Sequence, residues 1–171
     1  ILTANLSNAK LDPTVVTLEL EGTATALEDY NVSSIYKYSS FVGKVDEPGS
    51  RDGLGEAARF NQPLFLTKYL QGTTLISDRS AHTIKLIYPS GEVQTVFGSS
   101  YNCGEESGNY DEIRICEPEQ IAVDMSTGNI YWYRYRNIWR YNATDGKVSM
   151  IYNGDQDGSI GRVGGIAFMN G

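Results

Sequence analysis

Three features predict an all-β fold built from four-stranded antiparallel propeller blades. They are a composition rich in Tyr, Gly, Val, Ile and Thr, an internal repeat, and four strand-and-turn units inside each repeat. The chain has 171 residues, with 12 Tyr, 18 Gly and 40% apolar residues, which is enough to bury a core. No apolar run reaches the roughly eighteen residues a membrane span needs. A formal charge of −7 repels phosphate backbones, so nucleic acid is not an expected partner. A chain that starts at Ile1 is expected to be a processed product or a piece of something longer.

The repeat fixes the organisation. Displaced by 55 residues, the sequence registers on itself without gaps: Pro63 falls on Pro118, Leu66 on Ile121, Arg79 on Arg134, Lys85 on Arg140 and Val93 on Val148. Phe41-Val42-Gly43 falls on Val96-Phe97-Gly98, and a third copy begins at Gly165-Ile166-Ala167-Phe168.

In chain order, Ile1–Ser7 and Val15–Leu20 alternate as strands, parted by the Asp12-Pro13 turn. The segment Gly49–Pro63, GSRDGLGEAARFNQP, is the crossing into the first blade. Its glycines permit turns, and Glu56–Phe60 suits one helical turn whose Phe60 plugs between blades. The first blade follows as Leu64–Tyr69, Thr74–Ser77, Thr83–Tyr88 and Glu92–Phe97, with Gln71-Gly72 and Pro89-Ser90-Gly91 as turns. The second reads Gln120–Asp124, Ile130–Tyr135, Ile138–Tyr141 and Lys147–Tyr152, with Ser126-Thr127-Gly128 as its first turn.

These residues resemble the NHL repeat family. Asp52-Gly53, Gly55, Ala58, Phe60-Asn61, Pro63, Asp78, Ile84-Lys85 and Gly91-Glu92-Val93 fit its blade pattern, and Asp157-Gly158 restores the signature ahead of the third copy. In the second blade a Cys-bracketed loop replaces the crossing, and Tyr133 stands where Asp78 stood. The resemblance implies NHL-type blades over residues 35–171, about two and the start of a third. Upstream, EGTATALEDY resembles a segment of Calx-beta domains, with Leu27 in place of a Gly. That implies a partial immunoglobulin-like β-sandwich segment over residues 1–34. In that family acidic residues near this segment bind calcium, and Glu28 and Asp29 are the matching positions. Two carboxylates do not make a six-to-eight-oxygen site, so solvated turn residues are the favoured reading.

Cys103 and Cys116 bracket a polar loop, and their spacing suits a disulfide stabilising by roughly 3 kcal/mol; two buried free thiols are the alternative. Sequons at Asn5, Asn31 and Asn142 add N-glycans to the expectation. Together they predict an extracellular or cell-surface location. The single histidine, His82, sits on a turn and is read as structural, since one His cannot build a zinc site or a triad. Asn153, Asp155 and Asp157 imitate the start of an EF-hand loop, but Gly164 stands where its closing Glu belongs. No cofactor is therefore expected, with calcium a secondary candidate.

Residues 130–141, IYWYRYRNIWRY, are the most unusual run. Strand alternation puts Ile130, Trp132, Arg134 and Arg136 on one face and Tyr131, Tyr133 and Tyr135 on the other. Arg interleaved with aromatics suits stacking on a partner protein or glycan. The favoured reading is that both faces are simply packed between blades, with Arg stems over the rings.

Two blades cannot shield both flanks, so other chains or further blades are expected to cover them. The leading expectation is a non-enzymatic extracellular glycoprotein segment acting in structural assembly or adhesion. Its partners are other protein subunits, including copies of itself in a cell-surface filament. The alternatives are a propeller enzyme, a metal-dependent lyase or hydrolase with its site on blades outside this chain, and a receptor-like ligand-binding propeller.

Overall fold

The computed structural model describes residues 40–158 and 161–169, and the backbone of two short strands, β1 (Leu11–Asp12) and β2 (Val15–Val16). The chain divides into two compact units, Ile1–Tyr38 and Ser39–Gly171. In the first, β1 pairs antiparallel with β2, Leu11 opposite Val16 and Asp12 opposite Val15. The Calx-beta-like segment with Glu28 and Asp29, the sequons at Asn5 and Asn31, and the expected strand Ile1–Ser7 lie outside the described residues.

The second unit is two antiparallel five-stranded sheets. The first contains β3 (Gly53–Leu54), β4 (Pro63–Lys68), β5 (Thr74–Asp78), β6 (Thr83–Ile87) and β7 (Glu92–Gly98), in the order β3-β7-β6-β5-β4. The second contains β8 (Gly108–Asn109), β9 (Ile121–Asp124), β10 (Asn129–Arg134), β11 (Asn137–Asn142) and β12 (Lys147–Asn153), in the order β8-β12-β11-β10-β9. Each is a four-stranded propeller blade, as the strand runs predict, plus a two-residue strand that the preceding crossing lends to its outer edge. The innermost strands β4 and β9 lie side by side.

The repeat is real, but it is not gapless. One row of paired residues across the first blade reads Lys68, Thr74, Ile87, Val93, Gly53. The matching row in the second reads Val123, Ile130, Tyr141, Val148, Gly108. The displacement is therefore 55 at the inner strand, 56 at the next, 54 at the third and 55 at the outer edge. The cause is turn length. Four residues, Arg79–His82, join β5 to β6, whereas only Tyr135 and Arg136 join β10 to β11; counted between the paired rows, the connections on either side of the second hairpin are each one residue longer, 124–129 against 69–73 and 142–147 against 88–92. The expected matches of Asp78 with Tyr133, Arg79 with Arg134 and Lys85 with Arg140 change as a result. Arg134, not Tyr133, takes the place of Asp78; Trp139 takes that of Lys85; and Arg140 takes that of Leu86.

Alternation then sorts the faces. The main core lies between the blades: Leu75, Ile84 and Phe97 of the first pack against Ile121, Ile130, Trp132, Trp139 and Val148 of the second. Ile113 and Ile115 of the intervening crossing complete it. Phe97 stacks on Trp132 with centroids 5.5 Å apart. The opposite flank of blade 1 carries Ile76, Ile87 and Val93 under Ala58, Val42 and Phe60. Phe60 thus seals the outer flank of blade 1 and is not a plug between the two blades described. The expected helical turn is a 3-10 turn over Gly55–Ala57, because Ala58 is already extended (φ −67°, ψ 154°).

Polar side chains lock the crossings. Asp78, fully buried, accepts backbone hydrogen bonds from Asn61 (3.0 Å) and Gln62 (2.7 Å). Gly98 (φ +87°) must be glycine, because a Cβ there would meet the His82 carbonyl oxygen at 2.2 Å. His82 Nδ1 accepts the Glu117 backbone N–H at 3.2 Å, a structural role.

The buried Lys85 ammonium donates to Asp52 at 2.7 Å and to Thr95 at 2.8 Å. Blade 2 has Trp139 and Met150 at the Lys85 and Thr95 positions. Asp52→Ala should cost about 2 kcal/mol by stranding a buried charge, below the range for fully buried pairs because the Asp52 side chain is 43% exposed. Lys85→Met should cost less, and adding it to Asp52→Ala should restore stability in urea melts. Burial pushes the Asp52 carboxyl up, but hydrogen bonds from Lys85 and Thr95 outweigh it and hold the carboxyl below its ordinary range. Its contribution is therefore complete above about pH 4 and fades as pH falls through the lower folded value. Melts of the wild type and Asp52→Ala should converge in acid.

Candidate interaction surfaces

The aromatic run does not form one surface. β10 ends at Arg134, and Tyr135 and Arg136 form the hairpin turn, so alternation stops there. Trp132 is 1% exposed in the interblade core, and Tyr133 is also buried on the other face. Neither is exposed; Trp132 packs between the two blades, and Tyr133 lies on the face turned away from blade 1. Burial raises the Tyr133 phenol, and the neighbouring Glu119, which also accepts its hydrogen bond, raises it further. Tyr131 faces away from blade 1 and stacks on Phe168, ring centroids 6.0 Å apart.

Arg134 joins blades. It pairs with Glu105 and lies 3.6 Å from Glu117, which Arg79 of blade 1 also approaches at 3.9 Å. Tyr135 takes φ +51°, a strained value for a non-glycine. Its carbonyl accepts the Val163 N–H at 2.7 Å. The Arg134 and Arg162 guanidinium carbons sit 4.9 and 5.6 Å from its ring centroid. Tyr135 and Arg136 are the exposed members of the six expected residues.

The tail docks on the free flank of blade 2. Gln120 donates its amide to the Ile166 carbonyl (2.9 Å) and accepts the Ile166 N–H (3.3 Å). Residues 165–168, expected to open a third copy, lie there without strand pairing. Ile151 on that flank is 49% exposed, whereas its blade 1 counterpart Val96 packs against the core.

Cys103 and Cys116 form a disulfide with Cα atoms 4.5 Å apart. The bond closes the loop that delivers β8, Ile113 and Ile115, and it fits an oxidising compartment. Among the described residues no helix is long and apolar enough to cross a membrane. Of the calcium candidates, Asn153 and Asp155 make other contacts, and Glu28 and Asp29 lie outside the described residues. Residues Gly154–Asp157 form one turn of α-helix, and Asn153 caps it by accepting the Asp155 and Gln156 N–H groups. Asp155 accepts from Asn137 at 3.4 Å. Among the described residues no group of three or more His, Cys, Asp or Glu converges on one point. Asn142 ends β11, its Oδ1 accepting the Thr144 N–H at 3.0 Å.

Comparison with known proteins bears on architecture. No protein-family model matches the chain, and no curated protein does. The chain is similar to a crystal structure of a putative phosphatase from Bacteroides thetaiotaomicron, at 21% identity and TM-score 0.51 over 67% of this chain and 27% of that one. It is also similar to a protein of unknown function from the same organism (25% identity, TM-score 0.46, 50% of this chain and 22% of that one). A third is an auxiliary nutrient binding protein from that organism (20% identity, TM-score 0.44, 64% and 28%). The chain therefore spans about a quarter of the length of these structures. The first likeness is one of fold alone, and it agrees with a propeller-like architecture.

Proposed function

We propose that this chain works without catalysis, through protein–protein contacts, as an assembly or adhesion unit outside the cell. The observation that supports this is the free flank of blade 2. Ile151, Phe168 and Met169 are exposed there, at 49%, 42% and 88%, while the equivalent flank of blade 1 is buried against a neighbouring blade. A surface built to receive a blade, and carrying apolar side chains in water, is a surface for a partner or for a further blade. The outer flank of a second copy, with Phe41 60% and Leu54 63% exposed near its edge, offers complementary chemistry. Such a contact is head-to-tail, and repeated without closure it makes a filament. N-glycans at Asn5, Asn31 and Asn142 belong to the same reading.

Sedimentation and electron microscopy across a hundredfold concentration range test it. Concentration-dependent oligomers or fibres are expected, and Ile151→Lys should abolish them without shifting the urea midpoint. Discrete monomers throughout would overturn the assembly reading.

A further inference from the structure

The two blades carry the same cleft at the same outer corner, and its chemistry is inverted between them. In blade 1 a recess of about 500 Å³ is lined by Asp52, Gly53, Leu54, Glu92, Val93 and Gln94. In blade 2 a recess of about 500 Å³ is lined at the matching positions by Ser107, Gly108, Asn109, Lys147, Val148 and Ser149. The strand pairs that frame them, Gly53 with Val93 and Gly108 with Val148, establish the match. The blade 1 recess stays open although blade 2 packs on that blade's flank. A neighbouring blade therefore leaves the edge-strand side of this corner open, while covering the Leu86 position.

The exchanges all run one way. Glu92 becomes Lys147, Leu54 becomes Asn109, and Leu86, which packs on the interblade core, becomes Arg140. Pairing of Arg140 with Ser149 and of Asn142 with Lys147 sets these four side chains on one face of the β11–β12 hairpin. Seven other Lys and Arg side chains, those of Lys44, Arg59, Arg79, Lys85, Arg114, Arg134 and Arg162, have a carboxylate within 4.0 Å. Neither Arg140 nor Lys147 has a side-chain hydrogen bond or ion pair among the described residues. The Arg140 Nε is buried without an acceptor, and the side chain lines the recess.

The cleft also holds two carboxylates. Glu112 accepts from the Asn109 amide at 3.2 Å, and Asp145 accepts the Lys147 backbone N–H at 3.0 Å. Each keeps a second oxygen. A simple anion would meet them as repulsion. A molecule with one carboxylate and several hydroxyls uses both halves, its carboxylate on the arginine fork and its hydroxyls donating to Glu112 and Asp145.

We propose that this cleft binds a hydroxylated carboxylate, a sugar acid of the uronate class, with Arg140 as the carboxylate receptor and Lys147 beside it. Arg140 stands where blade 1 has Leu86 on the interblade core, and Asn142 lines the cleft, so a partner on this flank or a glycan on Asn142 would compete with the ligand, and the site is tested on the bare, unassembled chain.

The test is a titration of the full chain, produced in bacteria so that Asn142 is bare and diluted below any self-association. D-glucuronate, D-glucose, acetate and glucose 6-phosphate are followed by two-dimensional NMR. Glucuronate is expected to shift the Arg140 Nε–H and the backbone amides of residues 147–149, at lower concentration than glucose or acetate. Arg140→Gln should weaken it about tenfold or more, with an unchanged urea midpoint, and Arg136→Gln in the neighbouring turn should leave it intact. Equal binding of glucose, glucuronate binding unaffected by Arg140→Gln, or no shift with any of the four would overturn the proposal. Tighter binding of glucose 6-phosphate would overturn the carboxylate assignment.

Discussion

Trp132→Ala should lower the stability of the two-blade unit by about 3–5 kcal/mol, the range for deleting a buried aromatic from a packed core. Trp132 is 1% exposed, stacks on Phe97 of the other blade and faces its cross-strand partner Trp139. Its loss opens a cavity on the seam between blades, not within one. Because a domain's whole stability is of order 5–15 kcal/mol, the urea midpoint should fall by a large fraction. Trp139 remains as the only tryptophan, so its fluorescence reports the transition. Trp132→Phe keeps a ring at the seam and should cost markedly less. An alanine variant that melts like the wild type would mean that the blades do not depend on this interface.

The second large effect belongs to the disulfide. Cys103→Ser with Cys116→Ser should cost about 3 kcal/mol, the loop-closure contribution of a bridge spanning 13 residues of sequence. More than entropy is at stake. The closed loop carries Ile113 and Ile115, 5% and 3% exposed, into the interblade core, and it supplies β8 to the outer edge of blade 2. Ion pairs of Arg114 with Glu106 and of Arg134 with Glu105 hold the same loop from inside and outside. They are partly exposed and cannot replace a covalent closure. Reduction of the wild type should reproduce the double-serine melt. Hydrogen exchange should then speed first at residues 108–109 and 147–148, where β8 pairs.

Much of this fold is legible in the residues. The eight blade strands lie within a residue or two of the apolar runs, because turn residues bound most of those runs. The crossing is legible too: Asp78, expected from the repeat pattern, binds the backbone of Asn61 and Gln62. What escapes is register. The hairpin at Tyr135-Arg136 contains no Gly, Asn or Pro, so alternation reads straight through it and places Arg134 with Arg136 and Tyr133 with Tyr135. A signal was present in the mirror symmetry of the run, since Ile130 and Tyr141, and Trp132 and Trp139, stand equally far from that turn and are cross-strand partners. The cleft at Arg140 escapes for the same reason. While Arg140 is matched to Lys85 it looks like one more buried cation with a partner. Matched to Leu86, it is a charge where the first blade has a hydrocarbon.

The turn lengths of the two blades carry an evolutionary constraint. One residue gained, two lost and one gained leave the span unchanged; either one-residue gain carried alone into a strand would turn it by half a period and send its apolar side chains into water, whereas the two-residue loss keeps each side chain on its face. Such a lineage cannot drift one indel at a time without passing through inside-out intermediates. Its variation travels in compensated sets, with the hairpin as the inherited cassette and the loop as a phase correction.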